Sequence, residues 1–193
     1  MRNEIVLIGP MRSGKSTVGR LLAAELGIPQ RSIDATGWQY YKDAGFDLDT
    51  ARRLRDTQGE LCSYQYLERY LLPALERHLN ESRNCVIDVG AGHTVYTDDD
   101  AFERVQRALV PFRNVVLLLP SPDLDECSIT LKARTKGIAW LERILVQSNV
   151  DMNEFFLRHH SNYDLATQTV YTNEKSPEET RDEILTRVQG IVS

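Results

Sequence analysis

Apolar residues recur along this chain with two different spacings, and their alternation predicts the fold. Residues 4–8, 85–89 and 115–119 are short runs of β-branched and aliphatic side chains, which predict buried strands. Residues 31–34 and 167–172 are poorer candidates for two more. Elsewhere the spacing changes to threes and fours. Val18, Leu21, Leu22 and Leu26 share one face of a helix predicted over 16–26, with Gly27 as its stop. Leu61, Tyr64, Leu67, Leu71, Leu75 and Leu79 form a second stripe over 60–80. Ser176 as N-cap, Pro177 at the first helical position and Glu179 in a capping box mark the start of the last helix. Asp98-Asp99-Asp100 reads as the acidic first turn of another. Strands alternating with helices predict an α/β domain with a mainly parallel five-stranded sheet and right-handed crossovers.

Composition narrows this further. A length of 193 residues without internal repeats or linkers suits one domain over 1–193. With 23 Lys and Arg against 28 Asp and Glu, the net charge of −5 argues against nucleic acid as a partner. No apolar run approaches the roughly 18 residues of a membrane span, and the first residues run straight into a strand-like segment, so no signal peptide is expected. Cys62, Cys85 and Cys127 are far apart, which excludes a disulfide framework or zinc knuckle and suits a reducing cytoplasm. All three are expected to be buried.

The strongest chemical signal is Gly9-Pro10-Met11-Arg12-Ser13-Gly14-Lys15-Ser16, which fits GxxxxGK[ST] between a predicted strand and a predicted helix. Its glycines allow turns that aim successive N–H groups at phosphate oxygens, and the helix N-terminus adds partial positive charge. Lys15 is placed to reach the β- and γ-phosphates and the Ser16 hydroxyl to ligate Mg²⁺. With about 7% glycine in average proteins, two glycines at fixed positions arise by chance in roughly 0.5% of windows. The added Lys and Ser and the strand–helix setting make chance a poor account. The loop predicts nucleotide binding and leaves the fate of the nucleotide open.

The opening segment, Ile5-Val6-Leu7-Ile8-Gly9, Ser13-Gly14-Lys15-Ser16-Thr17-Val18-Gly19-Arg20-Leu21-Leu22-Ala23 and Leu26-Gly27-Ile28-Pro29, resembles that of shikimate kinases. The resemblance implies a three-layer phosphate-loop sandwich with a helical lid, here about 132–150, and ATP-dependent phosphorylation of a small-molecule hydroxyl. It places Asp34 at the second acid of the family's Asp-x-Asp pair, which touches the acceptor hydroxyl, and Ser32 where the first, metal-side acid stands. Gly90-Ala91-Gly92 is similar to the triple glycine that lies against the acceptor. Arg134 and Pro177 resemble the residues that sandwich adenine. Two departures affect the substrate. The family's Phe-Arg-x-x-Glu stretch reads Tyr64-Gln65-Tyr66-Leu67-Glu68, and the second acceptor arginine falls on His159, with Arg158 one position off. Gln offers no charged bidentate fork to a carboxylate, so the resemblance implies a kinase with altered acceptor specificity. Shikimate kinase itself, a nucleoside or nucleotide kinase, and a non-catalytic ATP-binding module stay open.

The expected site follows. Met11, Arg12, Ser13, Gly14, Lys15, Ser16 and Thr17 with Gly9, Arg134 and Pro177 hold the nucleotide. Asp34, read as ending a strand, orients the acceptor hydroxyl; its bland alternative is a helix cap. Gly90, Ala91, Gly92, His93, Arg158 and His159 contact the acceptor. Ser16, Ser32 and Asp88, which closes an apolar strand, are the metal candidates. Arg143, or in its place Lys136, is the lid cation expected over the γ-phosphate, against the alternative of a surface charge. The Trp38-Gln39-Tyr40-Tyr41 cluster is expected in the core. His159 and His160 are expected on different helix faces, too divergent for a metal. The expected partner is a small-molecule acceptor, without nucleic acid or membrane, and the chain is expected to be monomeric.

Overall fold

A computed structural model describes residues 2–136 and 151–188. Strands β1 (Arg2–Ile8), β2 (Gln30–Ser32), β3 (Val86–Asp88), β4 (Phe112–Leu119) and β5 (Gln168–Tyr171) form one sheet in the order β2-β3-β1-β4-β5. Every pairing is parallel. Helices α1 (Lys15–Leu26), α2 (Ile33–Asp43), α3 (Leu48–Gln58), α4 (Glu60–Glu81) and α5 (Asp99–Leu109) are followed by α6 (Leu124–Thr135), α7 (Met152–Arg158), α8 (Ser161–Leu165) and α9 (Pro177–Arg187). A 3₁₀ turn spans Ala91–Thr94.

Both faces of the sheet are buried, which is why its strands read as continuous apolar runs. Side chains alternate along β1, so Ile5 and Leu7 join Val18, Leu22 and Ala23 of α1 and Ile184 of α9 in one layer. Val6 and Ile8 join Leu71 and Leu75 of α4, Val105 of α5, Leu131 of α6 and Phe156 of α7 in the other. Each fully buried leucine such as Leu22 or Leu75 contributes roughly 2 kcal/mol of transfer free energy. The expected five-stranded, three-layer α/β phosphate-loop fold is the one observed.

Several boundaries differ. β1 starts at Arg2, whose N–H donates to Pro111 O and whose guanidinium lies 4.2 Å from the Phe112 ring centroid. The strand expected over 31–34 runs instead from Gln30 to Ser32. The chain turns into α2 at Ile33, so Asp34 lies in a first helical turn, where a carboxylate suits the dipole, and not at a strand end. α2 and α3 left little periodic trace, because α3 buries only Ala51. The Trp38–Tyr41 cluster is split by helix geometry: Tyr40 is buried, Tyr41 half-buried, and Trp38 is 44% exposed. Cys85 and Cys127 are buried, but Cys62 is only half-buried on α4. Among the described residues no helix is long and apolar enough to cross a membrane.

Parallel pairing brings the carboxyl ends of β1, β2 and β3 side by side, with Leu7 and Ser32 both registered opposite Asp88. The crevice beyond these ends is where ligands of open α/β sheets collect.

Candidate active site

The phosphate loop leaves β1 at Gly9, whose φ is 133° and whose added Cβ would lie 2.6 Å from Leu118 O. Backbone blocks that space, so only glycine fits. Gly14, at φ 105°, delivers the chain into α1, and Arg12 at the loop's crest is left-handed at φ 65°. Lys15 is buried, its Nζ donating to Gly9 O and Pro10 O at 2.9 Å each. Burial pushes its pKa down, while the carboxylates of Asp88 and Asp34 oppose that shift.

Asp88 is buried at the end of β3, with Oδ2 accepting from Gln30 Nε2 at 3.4 Å and Oδ1 without a partner. Burial raises its pKa; the Ser16 hydroxyl, Lys15 and the Ser32 hydroxyl pull the other way. Ser16, Ser32 and Asp88 are thus brought together as hard oxygen donors with one oxygen atom unspent, a set that fits Mg²⁺. Among the described residues no group of three or more His, Cys, Asp or Glu side chains is placed to hold a metal. His159 and His160 do not diverge as expected: His159 leaves α7 in extended geometry, His160 opens α8, and their rings stack at 4.6 Å.

A cavity of about 530 Å³ opens above the loop. Residues Met11 to Val18 line it, together with Asp34, Ala91, Arg134, Thr172, Lys175, Pro177 and Thr180. Asp34, Arg134 and Pro177, far apart in sequence, therefore share one space with Lys15. Arg134 has its pKa lowered by burial and by neighbouring Arg12. Pro177 is held at the N-terminus of α9 by the expected capping box: Ser176 Oγ accepts from Glu179 N, and Glu179 accepts from Ser176 N.

Behind Asp34, outside the cavity lining, stand Gly90, Tyr41 and His93. A Cβ on Gly90 would strike Asp34 Oδ1 and sit 2.8 Å from His93 Nδ1. His93 is buried, its Nε2 bonded to the Tyr41 hydroxyl and its Nδ1 unpartnered. Burial lowers its pKa to about 3, so the ring is neutral. Burial, followed by the Asp34 charge, raises the pKa of Tyr41, which keeps its phenol protonated. Gly92 packs under Tyr64, whose hydroxyl donates to Gly92 O at 3.0 Å and Val95 O at 2.7 Å.

Of the expected acceptor contacts only Asp34 and Ala91 line the cavity; Gly90, Gly92 and His93 are packed outside its lining, and Arg158 and His159 are not brought there. Arg158 does not line the cavity: its guanidinium is engaged by Asp125 of α6 and Glu154 on its own helix, where the i,i+4 pair satisfies it. His159 faces Phe155, His160 and the Ser161 hydroxyl, outside the cavity lining. Arg143 and the rest of the expected lid, 137–150, lie outside the described residues; Lys132 at the lid's start pairs with Asp151 and Glu154. Sequence reasoning missed Gln30, which reaches both Ser16 O and Asp88, and Asn153, which grips the loop at Met11. No local pattern marks Gln30. The cap pattern Asp151-Met152-Asn153-Glu154 would have marked the start of α7, though not its contact with the loop.

No family model matches the chain. A shikimate kinase of Persephonella marina is 31% identical over 193 residues, covering 98% of this chain and 100% of the relative. One of Streptomyces coelicolor is 32% identical over 191 residues, covering 96% and 95%. Among solved structures, the shikimate kinase of Aquifex aeolicus matches with a TM-score of 0.55 at 26% identity, over 98% of this chain and 97% of that one. A shikimate kinase from Acinetobacter baumannii in complex with shikimate shares the fold, with a TM-score of 0.61 at 21% identity over 96% and 92%. Near full-length likeness in sequence, a phosphate loop on the central strand and a cavity that joins it to a carboxylate place the chain in the shikimate kinase family, as an ATP-dependent kinase acting on an alcohol group.

Proposed function

We propose that the protein transfers the γ-phosphoryl group of ATP to a hydroxyl of a small metabolite other than shikimate. The observation that carries the transfer is the cavity in which Asp34 and Lys15 meet, with Asp34 against the Cα of Gly90. Lys15 and the loop amides hold the β- and γ-phosphates; a phosphate oxygen takes the place of the loop carbonyls that Lys15 now contacts. Asp34 accepts the hydrogen bond of the acceptor hydroxyl and orients it in line with the γ-phosphorus, taking its proton as the new O–P bond forms and the bond from the γ-phosphorus to the bridging oxygen breaks, releasing ADP. Ser16, Asp88 and Ser32 would hold Mg²⁺, which supplies charge neutralisation on the transferring phosphates. Arg134 and Pro177 bracket the base.

The acceptor reading is supported by what stands at the family's two arginine positions. Gln65 is exposed and uncharged, His159 packs on Phe155, and neighbouring Arg158 is spent on two carboxylates. A substrate carboxylate has less to hold it here than a bidentate arginine provides. Shikimate itself remains the competing reading, favoured by the near full-length relatives.

The test is acceptor-dependent ADP release from Mg·ATP across shikimate, other cyclitols, polyols, amino-alcohols and nucleosides. A non-shikimate alcohol is expected to give the highest kcat/KM. Asp34→Asn should lower that kcat by about a hundredfold or more with Mg·ADP affinity unchanged. If shikimate alone supports turnover, the altered specificity is wrong. If Asp34→Asn turns over normally, the role given to Asp34 is wrong.

A further inference from the structure

One side chain from far along the chain holds both hydrogen-bonding groups of a phosphate-loop residue. Asn153 Oδ1 accepts from Met11 N–H at 2.8 Å, and Asn153 Nδ2 donates to Met11 O at 3.2 Å. Asn153 is only 6% exposed and lies at the second position of α7. Its own N–H donates to the cap residue Asp151 at 3.0 Å, which anchors it at the helix start. A carboxamide carries an acceptor and a donor side by side, the match for the N–H and C=O of one residue.

The consequence for the loop is directional. In a trans peptide the C=O and the following N–H point opposite ways. Tying Met11 C=O to Asn153 therefore turns the Arg12 N–H away from Asn153. A free peptide could flip and present a carbonyl to the phosphates instead. The next carbonyl is treated alike: Arg134 Nη1 donates to Arg12 O at 3.2 Å, and Arg12 Nε donates back to Arg134 O at 3.1 Å. These two clasps meet at Arg12, the left-handed residue of the loop. Alternation of right- and left-handed residues is what forms an anion nest from successive amides. The GxxxxGK[ST] spacing contains neither clasp.

We propose that Asn153 is a positioning residue for phosphoryl transfer: through Met11 it presets the Arg12 amide to receive the nucleotide's phosphates. This rests on the reading of the loop as the phosphate site. The test is calorimetry of the full chain with Mg·ADP and with adenosine, alongside thermal melting without ligand. Asn153→Leu should weaken Mg·ADP about tenfold, as expected for losing oriented donors to a charged ligand, and leave adenosine within about twofold. Asn153→Asp keeps an acceptor for Met11 N–H but sets a carboxylate against Met11 O. It should weaken Mg·ADP at least as much, and it serves as the isosteric variant if the leucine form does not fold. Mg·ADP binding to the folded variants within about twofold of the parent overturns the proposal, as does equal weakening of Mg·ADP and adenosine. Lys15→Ala is run in parallel. If it binds Mg·ADP like the parent, the loop is not the phosphate site and the proposal falls with that reading.

Discussion

The sides of the cavity proposed for the nucleotide and for the acceptor are built from different material. The nucleotide side is mostly backbone: the left-handed glycines at 9 and 14, the loop amides, and the N-terminus of α1. Eight consecutive residues specify it, because the ligand's charge is met by groups every residue carries. The acceptor side is mostly side chains. Asp34 comes from the first turn of α2 and lines the cavity; behind it pack His93 from the turn after β3, Tyr41 from further along α2 and Tyr64 from α4. Backbone sites tolerate drift in their surroundings, whereas a side-chain wall changes its ligand whenever one residue changes. A shikimate kinase can therefore be 31% identical to this chain while Gln65 and His159 stand here where the family resemblance expects acceptor arginines.

That contrast can be broken at either end. Lys15→Met should have the largest effect, lowering kcat about a thousandfold for every acceptor, because the loop serves them all. Comparable losses across acceptors measured in the ADP-release assay are the sign to look for; selective loss for one acceptor would mean the two sides are not separate. Gly90→Ala comes next. Its Cβ has no room beside Asp34 Oδ1 and His93 Nδ1, so the carboxylate must move. Turnover should fall about a hundredfold, the cost of a reacting group displaced by an ångström, with calorimetric Mg·ADP affinity unchanged. Parallel loss of nucleotide binding would blur the division between the sides.

The smallest effect is a pH slope from His93. Burial holds this ring at a pKa of about 3 against an ordinary 6.5. Between those values the unfolded chain binds a proton that the folded chain refuses. The sign follows: stability is lost as pH falls through 6.5, with a slope approaching about 1.4 kcal/mol per pH unit from this group. His93→Gln keeps a polar partner for Tyr41 and removes that slope. Urea unfolding at about pH 7.5 and about pH 5.5 should show the parent losing more stability than the variant. Equal losses would show that the ring is not held neutral by its surroundings.

Legibility followed range in sequence. The three central strands, the α1 stripe with its Gly27 stop and the Ser176 capping box are all local patterns, and each was found close to its expected place. α2 and α3 were not seen, because α3 buries a single alanine and the aromatic residues of α2 follow no clean stripe. Asp34 was picked out for its place in a motif but assigned to a strand end. It stands instead in a helix that begins one residue after β2, since Ser32 leaves the sheet in extended geometry and Ile33 turns inward to the core. Arg158 looked available for an acceptor because its neighbours in space, Asp125 and Glu154, include one from another helix.

From its sequence alone the chain is a parallel α/β protein with a phosphate-binding loop, because hydrophobic period and glycine spacing act over a few residues and need no partner to be read. Which side chains would meet the acceptor, the pairing of Tyr41 with His93, and the grip of Asn153 on Met11 were decided by tertiary structure. Each depends on the packing of α2, α4 and α7 against strand ends up to 142 residues away. No spacing within the chain encodes such a contact, since it arises only when both layers close on the sheet.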